Sequence, residues 1–98
     1  MASIQSNIST PLYMVIQEMI ADMREICKNQ KTPTTWQQKF CYAKPYIEAL
    51  GSLNSINDNY YFDSGKSLVN YLLSNLNTYK GEKAKEFKAL FKTMLKQA

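Results

Sequence analysis

The chain has 98 residues, of which 45% are hydrophobic and 20% are charged, and its formal net charge at pH 7 is +4. This composition is typical of a globular protein and excludes wholesale disorder. We predict a single helical domain over residues 10–98, preceded by a flexible tail of residues 1–9 that lacks hydrophobic periodicity. No apolar run approaches the roughly 20 residues that span a bilayer, and the N-terminal sequence lacks the features of a secretion signal. We therefore expect a cytoplasmic protein without a membrane partner.

The sequence offers little for conventional nucleophilic or acid/base catalysis. There is no His, and the eight carboxylates are scattered without a compelling pair, which argues against acid/base and nucleophilic catalysis. Cys27 and Cys41 cannot complete a four-ligand zinc site, and their positions predict reduced thiols in the core. Residues 64–67 read SGKS, but position 60 holds Tyr where a phosphate-binding loop needs Gly. We expect a non-enzymatic protein without catalytic, cofactor or metal residues.

Hydrophobic spacing predicts the first helix. Apolar residues recur every three or four positions from Leu12 to Cys27, with polar residues between them. Thr10 followed by Pro11 has the chemistry of a helix start, because a hydroxyl caps the first amides and Pro lacks the amide that would go unpaired. Asn29 is the predicted stop, since Asn tolerates the left-handed conformation used just beyond helix ends.

A second apolar stripe covers residues 36–50, with Thr32 or Thr34 as the predicted cap. Pro45 interrupts this stripe. Because a proline inside a helix removes one hydrogen bond and clashes with the preceding turn, we predict a kink or a break into two short helices near Lys44.

Residues 51–63 are rich in Ser, Asn and Asp, which predicts a connecting loop. An aliphatic stripe over residues 68–76 follows, capped by Asp63 or Ser64, and its near absence of charge predicts a central helix. No strand pattern is evident. The predicted fold is therefore all-α, a compact bundle of four to five helices.

The last segment carries the charge imbalance of the whole chain. Residues 80–98 hold six Lys and two Glu, for a net charge of +4, whereas residues 1–79 are neutral overall. Its apolar residues share one predicted helix face, and the residues of that face are Ala84, Phe87, Leu90, Phe91, Met94 and Leu95. The opposite stripe consists of Lys85, Lys88, Lys92 and Lys96.

These lysines have two interpretations. Lysines opposite an apolar stripe are typical of a solvated helix face. Three of them, at positions 88, 92 and 96, have no acidic residue three or four positions away, so their charges repel one another and would favour phosphates or an acidic protein patch. We assign them to partner binding, together with Lys80 and Lys83.

Three consecutive aromatic residues interrupt the predicted polar loop. Tyr60, Tyr61 and Phe62 cannot all point into one core, so at least one is expected at the surface. Exposed aromatics beside basic residues stack on unpaired bases or anchor protein interfaces, whereas the alternative is that these rings cap the open end of the bundle. We include Tyr60 and Tyr61 among the candidate partner-binding residues.

The C-terminal part of the chain carries a recognisable pattern of aliphatic helix, Leu-Ser-Asn, aromatic, basic residue, Gly, Glu and an Ala/Lys helix. It consists here of residues 73–75, then Tyr79, Lys80, Gly81 and Glu82. In this pattern the chain resembles small uncharacterised all-helical proteins of bacterial plasmids, prophages and other mobile elements. Phage-borne proteins of this size often bind host defence machinery, including RNA-guided nucleases, and the analogy implies an anti-CRISPR candidate.

The sequence thus supports three hypotheses of function. The first is a binding protein whose basic C-terminal helix contacts nucleic acid or an acidic protein surface. The second is a mobile-element inhibitor that binds a host nuclease or nucleoprotein complex through protein–protein contacts. The third is a homodimer whose Met-rich first helix packs on its twin.

Overall fold

Five helices and one short hairpin make up the fold. The computed structural model describes residues 3–32 and 34–97. The elements in chain order are α1 (Leu12–Lys28), α2 (Trp36–Lys39), α3 (Lys44–Leu50), β1 (Asn59–Tyr60), β2 (Asp63–Ser64), α4 (Gly65–Ser74) and α5 (Glu82–Gln97). The Cα radius of gyration is 12.8 Å, close to the ~13 Å of a compact 100-residue chain. The fold is therefore compact and predominantly helical.

A small sheet departs from the predicted all-α class. Strands β1 and β2 pair antiparallel, with Asn59 opposite Ser64 and Tyr60 opposite Asp63. The sequence predicted only a loop here, because strands of two residues are too short to show the alternation by which strands are recognised. The hairpin leads directly into α4, whose first turn is capped by the Ser64 hydroxyl accepting from Ser67 N at 3.1 Å.

Backbone carbonyls, and not the predicted hydroxyl cap, accept hydrogen bonds from the first amides of α1. Pro11 occupies the N-cap position, and no side chain there makes a capping hydrogen bond. The amides of the first two helical residues instead donate to the carbonyls of Asn54 and Leu53, at 2.9 and 2.8 Å. Thr10 is therefore not the cap. Asn29 does end the helix, but its φ of −89° is not left-handed.

The second predicted stripe forms two short helices, α2 and α3. The cap of α2 is Thr35, whose hydroxyl accepts from Gln38 N at 3.2 Å while the Gln38 side chain accepts from Thr35 N, so Thr32 and Thr34 are not the cap. Residues 40–43 form turns between the two helices. Pro45 lies in the first turn of α3, where its missing amide costs no helical hydrogen bond.

The core lies between the inward faces of all five helices. Its largest fully buried side chains are Leu12, Val15, Ile16, Met19, Met23, Ile47, Leu50, Leu72, Leu76, Tyr79, Phe87 and Phe91. Met19 and Met23 face this core, whereas Met14 of the same helix is 46% exposed. The packing of α1 on a twin stays a hypothesis. Cys27 is buried, as predicted, but Cys41 is exposed because it falls in the turn between α2 and α3.

Candidate binding surface

Three lysines of α5 form an exposed row. Lys85, Lys92 and Lys96 are all exposed, whereas Phe87 and Phe91 on the other side of the helix are fully buried. At 3.6 residues per turn the three lysines lie within about 40° of one another around the axis and span roughly 16 Å along it. We call Lys85, Lys92 and Lys96 the lysine row. The part of the chain that the structure describes gives none of them an ion pair within 4 Å.

Lys88 has a structural contact that sets it apart from the lysine row. It is half-buried, and its Nζ donates to the backbone oxygen of Tyr79 at 2.7 Å. Burial lowers the pKa of Lys88, and the nearby charges of Lys80 and Lys92 lower it further. Lys88 therefore lies close enough to Lys80 and to Lys92 to be repelled by both charges. This cluster brings Lys80, which precedes the helix, next to the lysine row.

Lys83 lies on the side of α5 that faces α1. It is half-buried, and its charge acts on the Glu18 carboxylate of α1. Burial alone would raise the pKa of Glu18, but hydrogen bonds from Ser6 Oγ and from the amides of Gln5 and Ser6, helped by Lys83, lower it overall. Glu86, three positions after Lys83 in α5, forms no ion pair with it within 4 Å, and its Oε2 is buried without a hydrogen-bond partner among the described residues.

The turn before α5 is held by Tyr79. Its hydroxyl donates to Asp22 Oδ2 of α1 at 2.6 Å, and its ring packs edge-on against Phe40 with centroids 5.6 Å apart. Burial raises the pKa of Tyr79, and the hydrogen bond to Asp22 raises it further. Gly81 then turns the chain into the helix with φ +125°, a conformation that favours glycine. The spacing of residues alone did not reveal this role, because Tyr79 follows a polar segment outside any helical stripe.

Of the three aromatic residues of the hairpin, one is half-buried and two are exposed. Tyr60 is half-buried and packs against the core, whereas Tyr61 is 83% exposed and Phe62 is fully exposed. Tyr60 and Tyr61 contact each other edge-on at 4.7 Å between centroids. Only Tyr60 thus helps to close the end of the bundle. Phe62, which we had not selected, is the most exposed aromatic ring of the group.

Two clefts lie outside the lysine row. A cleft of about 380 Å³ separates residues 8–12 from the loop 54–57 and the end of α5, and its lining carries no charged residue. A second cleft of about 270 Å³ lies where the end of α1 meets α2, with Arg24, Lys28 and Trp36 in its lining. No group of three or more His, Cys, Asp or Glu side chains that could hold a metal ion occurs within residues 3–32 and 34–97.

The chain was compared with protein families, curated proteins and solved structures. No family model matches it, and neither the curated proteins nor the solved structures give a match. The resemblance to mobile-element proteins and the nuclease-inhibitor hypothesis based on it therefore stay hypotheses. Within the described residues, no helix combines the length and apolar character needed to cross a membrane.

Proposed function

We propose that the protein is a non-enzymatic binding protein whose α5 surface contacts nucleic acid or an acidic protein. The surface consists of the lysine row together with Lys80. The observation that carries the proposal is the row of exposed lysines on one side of α5, none of which has an acidic partner within 4 Å among the described residues. Lys80 and Lys92 also lie close enough to Lys88 for their charges to act on it. Clustered cations that repel one another favour a polyanion, because its binding removes the repulsion and releases condensed counterions.

Two of the candidate lysines have contacts within the fold, which supports limiting the proposed surface to the others. Lys88 stabilises the turn before α5 through Tyr79, so its removal would change the fold as well as the charge. Lys83 is half-buried beside α1 and acts on Glu18. The lysine row has no such second role, and its variants therefore report on binding.

Charge reversal of two members of the lysine row tests the proposal. The Lys85→Glu/Lys92→Glu variant is compared with Lys31→Glu/Lys66→Glu, which reverses two exposed lysines outside α5 and changes the net charge equally. Binding of fluorescently labelled DNA and RNA oligonucleotides and of polyglutamate is measured by anisotropy between 50 and 200 mM salt. We expect the α5 variant to lose about tenfold or more in affinity and its salt slope to fall by about two.

The probes separate the two kinds of partner. Binding of oligonucleotides with a steep salt dependence favours nucleic acid, whereas binding of polyglutamate alone favours an acidic protein surface. The proposal is contradicted if neither polyanion binds. It is also contradicted if the Lys31/Lys66 control loses as much affinity as the α5 variant, because net charge alone would then explain the binding.

A further inference from the structure

The tip of the hairpin exposes two aromatic rings that packing within the chain does not explain. Tyr61 and Phe62 are the two residues between the paired Tyr60 and Asp63. Tyr61 occupies the first central position of a two-residue hairpin turn, and its φ is +55°. Gly is favoured at a turn position with positive φ. Both rings are exposed. A sequence selected only for this turn would place small residues here.

The base of the hairpin is rigidly held. Gly65 N donates to Asp58 O at 2.7 Å, and Asp58 Oδ2 accepts from the amides of Asn54 and Ser55 at 3.0 Å each. A Cβ at Gly65 would lie 2.5 Å from the backbone oxygen of Ile56, so the first residue of α4 and the loop before the hairpin approach closely. Such a base holds the tip in one orientation and reduces the entropy that binding would cost.

The tip also presents a negative charge. Asp63 is exposed, and its carboxylate makes no hydrogen bond or ion pair with a described residue. A carboxylate beside Tyr61 and Phe62 disfavours the phosphates of nucleic acid and the anionic surface of a membrane. It favours a protein pocket that combines an apolar wall with cations.

The cleft between α1 and α2 has this complementary chemistry. Trp36 supplies a buried aromatic wall, and Arg24 and Lys28 are exposed at its edge without an ion pair among the described residues. Its volume of about 270 Å³ exceeds the roughly 150 Å³ of a protein cavity that holds benzene. Arg and Lys also attract the face of an aromatic ring.

We propose that the hairpin tip of one molecule docks into the α1–α2 cleft of a second copy. The Phe62 ring enters the cleft beside Trp36, and the Asp63 carboxylate pairs with Arg24 and Lys28. The tip and the cleft are different surfaces, so a pair either closes through a second, reciprocal contact or keeps one free tip and one free cleft for further copies. A tip of a few residues buries less than the ~1,200 Å² of a standard interface, so the association is weak. It does not involve α5.

Sedimentation at rising concentration, up to about 1 mM, tests the assembly. We expect the average mass of the wild type to rise above the 11.3 kDa of the monomer as its concentration increases. Phe62→Ser should raise the dissociation constant about tenfold or more. Tyr42→Ser, which removes another exposed ring, should leave it unchanged. Circular dichroism confirms that both variants are folded.

A charge swap tests the pairing itself. Asp63→Lys and Arg24→Glu/Lys28→Glu should each be monomeric, because tip and cleft then carry like charges. An equimolar mixture should assemble again, since each variant's tip faces a cleft of opposite charge in the other. A photoreactive phenylalanine analogue at position 62 should crosslink to peptides that contain Arg24 or Trp36 of another molecule.

Three results would overturn the docking model. They are a wild type that stays monomeric at 1 mM, a mixture of the swap variants that stays monomeric, and crosslinks from position 62 that map to α5. Phe62-dependent binding to anionic vesicles or oligonucleotides by a monomeric wild type would equally overturn it. A wild type or swap mixture that fails to assemble leaves the lysine row untouched, and the variants that test the lysine row change neither the tip nor the cleft, so the two proposals fail separately.

Discussion

Tyr61 has an unfavourable backbone conformation, and Phe62 has an unfavourable exposure of its side chain. A left-handed conformation costs a residue with a Cβ roughly 1–2 kcal/mol, and full exposure of Phe62 forgoes roughly 1.5–3 kcal/mol of burial. Domains of this kind have a total stability of only about 5–15 kcal/mol. Residues that break local rules without a compensating contact are concentrated at functional sites. These features support the hairpin tip, like the lysine row, as a proposed binding surface.

Replacing Tyr61 by Gly should stabilise the fold. The substitution removes the strain of the positive φ, and we expect a gain of up to about 1 kcal/mol after the entropy cost of Gly. Phe62→Ser, at the neighbouring exposed position, should stay within about 0.5 kcal/mol of the wild type. Urea unfolding measures both. A loss of stability in Tyr61→Gly would mean that the edge contact with Tyr60 outweighs the strain.

At the scale of elements, α1 and α5 are joined through the turn that precedes α5. The hydroxyl of Tyr79 bonds to Asp22 of α1, and its carbonyl accepts from Lys88 of α5. One residue outside any helix thus fixes the position of both. Since Lys80 follows Tyr79 directly, this joint also places Lys80 beside the lysine row.

Tyr79→Phe isolates the polar part of this joint. The variant keeps the buried ring and loses only the hydrogen bond to the carboxylate, so we expect it to lose about 1.5–3 kcal/mol of unfolding free energy. Tyr42→Phe, at an exposed ring, is the matched control and should change nothing measurable. Equal urea midpoints for Tyr79→Phe and the wild type would show that the hydroxyl does not hold the two helices together.

The Glu18 carboxylate of α1 accepts hydrogen bonds from Gln5 and Ser6 of the N-terminal segment, and the strength of these bonds depends on pH. Its pKa is lowered in the folded protein because the hydrogen bonds from Ser6 and Gln5 outweigh the opposing effect of burial. A lowered pKa gives stability that is fully present above the ordinary glutamate value of about 4.3 and is lost as the pH falls through the folded value. The contribution of these hydrogen bonds to stability is therefore lost only at acidic pH.

Comparison of Glu18→Gln with the wild type between pH 7 and pH 3 tests this dependence. The wild type should be the more stable protein at pH 7, and the difference should shrink as the pH falls below about 4.3, because protonation then removes the same charge from the wild type. Glu25→Gln, at an exposed side chain of α1 without a hydrogen bond to a described residue, is the control. A difference that is constant with pH would contradict the assignment.

The helices were predictable from the sequence because apolar spacing reports directly on which face is buried. The ends of the helices were less predictable. Leu53 and Asn54 satisfy the start of α1 from a loop 40 residues away, and no local signal encodes such a contact. The lysine row was predictable as a stripe, but the separate role of Lys88 depends on a carbonyl of the preceding turn. The hairpin was missed because its strands have two residues each.

At the scale of the whole molecule, charge is unevenly distributed. The net +4 of the chain equals the net charge of its last 19 residues. The only ion pair within 4 Å in the described part of the chain joins Lys44 and Glu48, at 3.8 Å, far from α5 in the sequence. Among the described residues, ion pairing therefore contributes little, and Lys88 retains the repulsion from Lys80 and Lys92.

Moderate salt should consequently stabilise this protein. The Debye length falls from about 20 Å at 20 mM NaCl to about 7 Å at 200 mM. Salt should therefore screen the repulsion of Lys88 by Lys80 and Lys92 more than it weakens the attraction between Lys44 and Glu48. We expect the melting temperature to rise by about 1–3 °C over this range in a phosphate-free buffer, since phosphate would bind the lysines. Lys92→Gln should reduce the rise, whereas Lys66→Gln, which removes an exposed charge from α4, should preserve it. A melting temperature that falls with salt would show that attractive pairs outweigh the cluster, and the uncompensated charge on which the proposed function rests would then be absent.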